Sequence, residues 1–353
     1  SVVATNPQTG EILAMVSYPD YDNSVFLEPS TNAEAQAEIT SLFQDSLSPT
    51  MNRATFGLYP PGSAFKLATS LAGLESNSIT PGQTLFCSGQ TEFDGQVIKC
   101  LGIHGNVDME HALAQSCNSY FTQLGVMTGI ANIDKYTKML GLGEKTGVEI
   151  SELQGYRNNQ ETMKLKEKDK YHIWGPADTA QSAIGQLYNL FTPIQLNRYV
   201  SAVTTGYITT SHLIYKAMAK DGTMTVDNKI EKTKLDVQES SLQAVRKGML
   251  AVANWGSTNC VSAYSKFPKN FVLAKTGTPE TGEEKMGRSS HSIFVCAAPS
   301  DDPQIAVSIV IEHGSWGGES APISADIFNE YFDFNGYTVP QPSSRPDGLS
   351  VVG

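Results

Sequence analysis

Residues 60–66 read Pro-Pro-Gly-Ser-Ala-Phe-Lys and run straight into the apolar helical stretch Leu-Ala-Thr-Ser-Leu-Ala-Gly-Leu-Glu. A serine and a lysine thus stand one turn apart at a helix start, with Ser63 in the first turn and Lys66 on the same face. Unpaired backbone N–H groups and the positive end of the helix dipole stabilise a developing oxyanion at such a place. Serine attacks a carbonyl at neutral pH only when a neighbouring base takes its proton, and a desolvated lysine is such a base. The pair alone equally fits a helix-capping serine beside a solvent-facing lysine. The acyl-transfer reading requires two more elements, a Ser-x-Asn step and then a Lys-Thr-Gly strand.

Each of those elements occurs more than once. Ser-x-Asn is found at Ser30-Thr31-Asn32, Ser116-Cys117-Asn118 and Ser257-Thr258-Asn259. The first precedes the nucleophile, and the third leaves no room for a helical lobe before the strand that must follow. Ser116 and Asn118 lie between two helical patterns, 108–115 and 120–124, where a hydroxyl and an amide can project together into a cleft. Lys-Thr-Gly is found at 145–147, after a glycine-broken loop, and at 275–277, closing the apolar run Phe271-Val272-Leu273-Ala274. Only the second reads as a strand. Its alternation puts Thr276 and Thr278 on one face, where two hydroxyls can bind a carboxylate. Lys275, on the other face, is long enough to reach back toward Ser116. Gly277 is expected to keep the strand edge clear for an extended peptide.

A second constellation overlaps the first. Cys87, Cys100, His104 and Cys117 form Cys-x12-Cys-x3-His-x12-Cys, with glycines at 89, 95, 102 and 105 to fold the loop back on itself. Tetrahedral zinc accepts a Cys3His set, and the Cys-x3-His step places two ligands on one turn. A Cys87–Cys100 disulfide with Cys117 as a packed thiol is the competing reading, and free thiols a third. Zinc would be structural, tying Cys117 and hence Ser116 and Asn118 in place. Cys296 sits in an apolar run and reads as a buried thiol; Cys260 shows no pattern. His172, His212 and His291 have no partner by spacing, and His313 lies past a strand end without an assigned role.

The elements that must position these groups are legible. Val2–Thr5 and Ile12–Ser17 form an N-terminal hairpin about Asn-Pro-Gln-Thr-Gly. Residues 271–278, 292–298 and 305–312 form an antiparallel meander near the other end, followed by a helix over 323–332, and the middle is mostly helical. One antiparallel sheet built from both chain ends, with a helical lobe inserted, is an α+β design. It cannot be cut into sequence-contiguous domains, so 1–353 is expected to be one domain with its cleft between sheet edge and lobe. Arg157 to Tyr171 and Lys220 to Ser240 are polar and are expected to be solvated loops.

With Ser63-x-x-Lys66, Ser116-x-Asn118 and Lys275-Thr276-Gly277-Thr278 in order, the chain resembles the transpeptidase domain of penicillin-binding proteins over nearly its whole length. The stretches 6–15, 52–54, 183–186 and 192–196 are similar to that family's opening hairpin, pre-nucleophile segment and post-helix segment. The ending, from Ala298-Pro299 through Glu312-His313-Gly314 to Ala321-Pro322-Ile323, looks most like class B, elongation-type members. The resemblance implies the penicilloyl serine transferase (β-lactamase-like) fold and acyl transfer from the D-Ala-D-Ala end of a peptidoglycan stem peptide. In that scheme Ser63 attacks, Lys66 takes its proton, and Ser116 delivers a proton to the leaving amine. Asn118 holds the peptide, Lys275, Thr276, Gly277 and Thr278 form the substrate-binding edge, and the N–H groups of Ser63 and Thr278 form the oxyanion hole. A second stem peptide is the acceptor, β-lactams acylate Ser63, and no catalytic cofactor is needed.

The same three motifs occur in serine β-lactamases, which need a further group to activate water, and in β-lactam sensors that remain acylated. A D,D-carboxypeptidase differs only in taking water as acceptor.

The chain has 353 residues, 40% hydrophobic and 17% charged, enough to bury a large core. Its net charge of −11 argues against nucleic acid as a partner. It holds no run of the ~18 consecutive apolar residues that a membrane-spanning helix needs. Beginning without methionine, directly in a strand, it reads as an excised domain. The resemblance implies an upstream membrane anchor and pedestal, a place outside the cytoplasmic membrane, and a membrane glycosyltransferase partner reached through that upstream region.

Overall fold

In a computed structural model, which describes residues 1–167, 171–227 and 230–333, the two chain ends meet in one sheet. Its strands are β1 (Val2–Thr5), β2 (Ile12–Val16), β3 (Leu273–Gly277), β4 (Ser292–Ala298) and β5 (Ile305–Ile311), in the spatial order β3-β4-β5-β1-β2. Every pairing is antiparallel, and the β1–β5 ladder, Val2 opposite Ile309 through Thr5 opposite Ala306, closes the N-terminal hairpin onto the C-terminal meander.

Both faces of this sheet are buried, which explains the unbroken apolar runs of β4 and β5. Alternate residues Ile293, Val295 and Ala297 of β4, with Ala306 and Val310 of β5, join the main core under the helical lobe. Phe294, Cys296 and Ala298, with Val307 and Ile309, join a second core behind the sheet, capped by Phe328 of the terminal helix Ala321–Phe332. Helix Pro193–Thr205 is buried almost all round, because it runs between the sheet and the lobe. Asn197 on it ties the layers together, donating from Nδ2 to Val3 O (2.8 Å) and Ala306 O (2.9 Å).

The lobe presents its helices to one edge of the sheet, the free side of β3. Helix α1 (Lys66–Glu75) has nine buried residues and lies at the centre of the main core. Helices α2 (Met109–Ala114) and α3 (Asn118–Thr128) pack beside it, joined by the three-residue corner 115–117.

The two stretches expected as solvated loops carry more order than that. Arg157 pairs with Asp134 (2.9 Å) and Glu144 (2.7 Å), Asn158 is buried, and Asn159 caps a helix over Gln160–Lys166. Their polar composition reflects ion pairs and a cap rather than solvation alone. Residues 216–218 and 224–227 form a small hairpin, and 232–234 pair with 207–209. Residues 168–170, 228–229 and 334–353, which fall within the expected loops and the expected single domain, lie outside the described residues.

Candidate active site

Ser63 sits in a 3-10 turn, Gly62–Phe65, that leads into α1, and it is partly exposed at the floor of a cleft of about 870 Å³. The N–H of Lys66 bonds to Ser63 O, so the pair shares one tight turn. Gly62 needs its left-handed φ of +51°, and a Cβ there would meet Pro279 N at 2.8 Å. The nucleophile loop is therefore pressed against the strand that carries Lys275.

Lys66 is fully buried, and its Nζ donates to Ser116 O (2.7 Å), Asn118 Oδ1 (2.7 Å) and Ser116 Oγ (3.2 Å). Burial, and then the charge of Lys275, hold the Lys66 amine well below the usual lysine range. The two carbonyl oxygens can only accept. In a neutral amine they take both hydrogens and leave the lone pair for a hydroxyl. Lys275, also fully buried, donates to Ser116 Oγ (3.2 Å) and Thr276 O (3.0 Å), and burial lowers it to about 7. The Ser116 hydroxyl therefore stands between two amino groups that burial makes less basic than a free lysine. Ser116 reaches this position with a φ of +52°, a conformation that costs a non-glycine residue about 1 kcal/mol.

Asn118 splits its amide between the two sides of the cleft. Oδ1 accepts from Lys66 and Nδ2 donates to Lys99 O (2.9 Å), which leaves one N–H for a peptide carbonyl. Thr276 and Thr278 line the cleft, as the alternation of β3 requires. Thr278 Oγ1 accepts from the backbone N–H of Gly317 (2.9 Å), so its own proton is aimed elsewhere, toward an acceptor such as a carboxylate. Sequence reasoning missed this support; glycines at 314, 317 and 318 around an exposed tryptophan were its only signal.

Gly277 differs from expectation. A Cβ there would lie 2.5 Å from Pro61 O and 3.2 Å from Ala64 N. The glycine is required by the approach of the Ser63 loop on one side, while Gly317 crosses the strand 2.4 Å (Cβ to Gly277 O) away on the other. Close backbone packing, not a cleared edge, is the reason for that residue.

The four cysteine and histidine positions converge beside this centre, with one ligand atom from each within 4.8 Å of all the others. His104 Nδ1 is 3.4 Å from Cys87 Sγ and 3.5 Å from Cys100 Sγ, and Cys100 Sγ is 3.8 Å from Cys117 Sγ. A zinc tetrahedron with the usual bond lengths has edges of about 3.8 Å between sulfurs and about 3.6 Å between sulfur and nitrogen. The backbone N–H groups of Asn118 (3.2 Å) and Tyr120 (3.4 Å) point at Cys100 Sγ and Cys117 Sγ, and the hydrogen bond between the two sulfurs lowers Cys100 to about 3 while pushing Cys117 up. All five cysteines are free thiols, so the Cys87–Cys100 disulfide is not formed. Cys260 and Cys296 are buried in the second core. Of the histidines, His172 contacts Asp178 (3.0 Å), and His291 and His313 meet edge to face, ring centres 5.1 Å apart.

A family model described as the penicillin binding protein transpeptidase domain matches residues 1–333. The chain belongs to that family. Among its relatives is the peptidoglycan D,D-transpeptidase MrdA of Escherichia coli K12, 28% identical over 334 residues, covering 90% of this chain and 52% of that protein. The transpeptidase domain thus spans about half the length of the curated relatives it matches. Among solved structures, Pseudomonas aeruginosa PBP2 in complex with WCK 5153 superposes with a TM-score of 0.82 at 28% identity, over 98% of this chain and 73% of that one. The complex of PBP2 with MreC from Helicobacter pylori gives 0.81 at 26% identity, over 95% and 60%. No helix among the described residues of this domain is long and apolar enough to cross a membrane.

Proposed function

We propose that this domain is the D,D-transpeptidase of an elongation-type class B penicillin-binding protein, cross-linking peptidoglycan stem peptides through a Ser63 acyl-enzyme. The observation that carries the reading is the Ser116 hydroxyl held between two fully buried lysine amines beside the Ser63 turn. Lys66, whose amine burial makes far less basic than a free lysine's, accepts the Ser63 proton as the hydroxyl attacks the penultimate D-Ala carbonyl. Ser116 passes a proton to the departing D-Ala amine and recovers one from its lysine neighbours. Asn118 orients the donor peptide and Thr276 and Thr278 take its terminal carboxylate. The amine of a second stem peptide then attacks the ester and frees Ser63. β-Lactams, which mimic the donor terminus, acylate the same serine.

Labelled penicillin is expected to add one adduct to the intact protein and none to Ser63→Ala; labelling of that variant overturns the assignment. Hours-long persistence of the adduct separates this reading from a β-lactamase. Release of cross-linked product, rather than the trimmed peptide alone, separates it from a carboxypeptidase. We place the domain on the outer face of the cytoplasmic membrane, beside a partner that polymerises the glycan; a neighbour solved as a peptidoglycan synthase complex coordinating polymerization and crosslinking, and another solved with MreC, favour partners of those kinds.

We further propose that Cys87, Cys100, His104 and Cys117 hold a structural zinc ion. Three of their six separations, 3.4, 3.5 and 3.8 Å, are close to the edges of a zinc tetrahedron and all lie within 4.8 Å, and Cys117 lies between Ser116 and Asn118 in sequence. Such an ion contributes on the order of 10 kcal/mol to ordering its ligands. Near-stoichiometric zinc in protein purified without added metal is expected, with chelation lowering both the melting temperature and the rate of penicillin acylation. Metal-free protein with unchanged melting overturns it.

A further inference from the structure

The cleft extends past Thr278 to an end that the acyl-transfer chemistry does not use. Its wall there is the segment 316–319 facing residues 256–259. Of the chain's three tryptophans, Trp316 lines this end with its indole in solvent at 56% exposure, while Trp255, at 47%, lies one residue before the lining residue Gly256. The third, Trp174, satisfies its indole N–H on Thr179 (2.8 Å). An indole bared in the wall of a cleft, with an apolar face and a polar N–H, is placed to meet whatever enters it.

Backbone packing makes this end a fixed surface. Gly317 lies flush on Gly277, and a Cβ on Gly318 would meet Asn259 Cβ at 3.1 Å, so the Trp316 ring stands on a segment with no side chains beside it. Trp255 belongs to a π-helical turn, Val252–Gly256, of the kind often found at functional sites. The next residue, Gly256, packs on Ala114, where a Cβ would lie 2.5 Å from the carbonyl oxygen. Trp255 is braced from outside by His111, ring centres 5.3 Å apart. In the same wall as Trp316, Asn259 Nδ2 donates to Glu319 Oε1 (3.1 Å). That pair presents a planar amide and a carboxylate toward the cleft.

Indole faces beside a planar amide and a carboxylate are the chemistry that recognises a pyranose. The axial C–H face of the ring lies on the indole, while vicinal hydroxyls and an acetamido group bond to the amide and carboxylate. We propose that this end of the cleft is a saccharide subsite for a β-1,4-linked N-acetylamino sugar of the glycan strand that carries a stem peptide. The inference rests on the transpeptidase reading for the identity of the sugar. A strand held here presents its peptide along the same cleft toward Ser63.

The test is a titration of the protein with the β-1,4-linked tetramer of N-acetylglucosamine, with maltotetraose as control. Indole fluorescence follows binding, and NMR chemical shifts follow it in the tryptophan variants. Saturable binding with a Kd on the order of 1 mM is expected for the amino sugar and not for maltotetraose. Trp316→Ala is expected to weaken it about tenfold. Trp316→Tyr, which keeps an aromatic face, is expected to lose less. Glu319→Gln, which removes the negative charge of the pair at nearly constant shape, is expected to weaken it as well. No saturation, equal binding of maltotetraose, or binding untouched by Trp316→Ala and Glu319→Gln overturns the subsite. Penicillin acylation of the wild type is read separately. Its failure would sink the transpeptidase reading and leave the titration to stand or fall alone.

Discussion

The chain contains the tripeptide Lys-Thr-Gly twice, and the two copies have opposite fates. At 145–147 Lys145 is exposed and its carbonyl accepts from Arg198 (2.8 Å). Thr146 is buried, donating to Glu152 Oε2 (2.9 Å), and the Gly147 N–H bonds Glu152 Oε1 (3.0 Å). Gly147 has a φ of +88°, so the copy is a turn clamped by a carboxylate. At 275–277 the arrangement is reversed: the lysine is buried and the threonine faces the cleft. The strand there is sandwiched between the nucleophile loop and Gly317. Identical residues become a structural clamp in one place and a reactive edge in the other because desolvation, not residue type, sets what an amino group does.

The largest expected effect separates the copies directly. Lys275→Ala is expected to slow acylation by labelled penicillin about 10²-fold or more, whereas Lys145→Ala stays within about twofold of wild type. Comparable losses in both variants would erase the distinction.

Acidity gives the next contrast. With Lys275 at about 7 in the folded protein and near 10.4 when unfolded, the unfolded chain binds the extra proton between those values. Stability therefore rises with pH across that window, by up to about 1.4 kcal/mol per unit. The stability difference between wild type and Lys275→Met is expected to move in the wild type's favour from pH 7 to 9. A flat difference would show that Lys275 is not desolvated.

The smallest effect concerns the clamp. Glu152→Gln weakens two hydrogen bonds to residues 146–147 and is expected to cost about 1–3 kcal/mol of stability, with acylation by the folded protein unchanged. Chemical denaturation beside a penicillin-labelling rate checks it, and a fall in rate at full folding would tie the clamp to the cleft.

Much of this was legible in the residues. Ser63-x-x-Lys66, Ser116-x-Asn118 and Lys275-Thr276-Gly277 in order, the apolar runs at 292–298 and 305–311, and the regular Cys-x12-Cys-x3-His-x12-Cys spacing required only local rules of helix, strand and turn. These rules operate between neighbours in sequence, so the sequence alone determined the class of fold, the family and the identity of the chemical groups. It did not see the Pro61 carbonyl packed against Gly277, nor that Arg157, at the start of the 157–171 stretch, is paired with Asp134 and Glu144. It assigned nothing to Trp316, Gly317 or Glu319. Each of these depends on contacts between residues tens to hundreds of positions apart, which only packing decides. So does the chemistry itself: Lys66 and Lys275 lose their water only because lobe and sheet close over them, and that desolvation places both amines within reach of one serine hydroxyl.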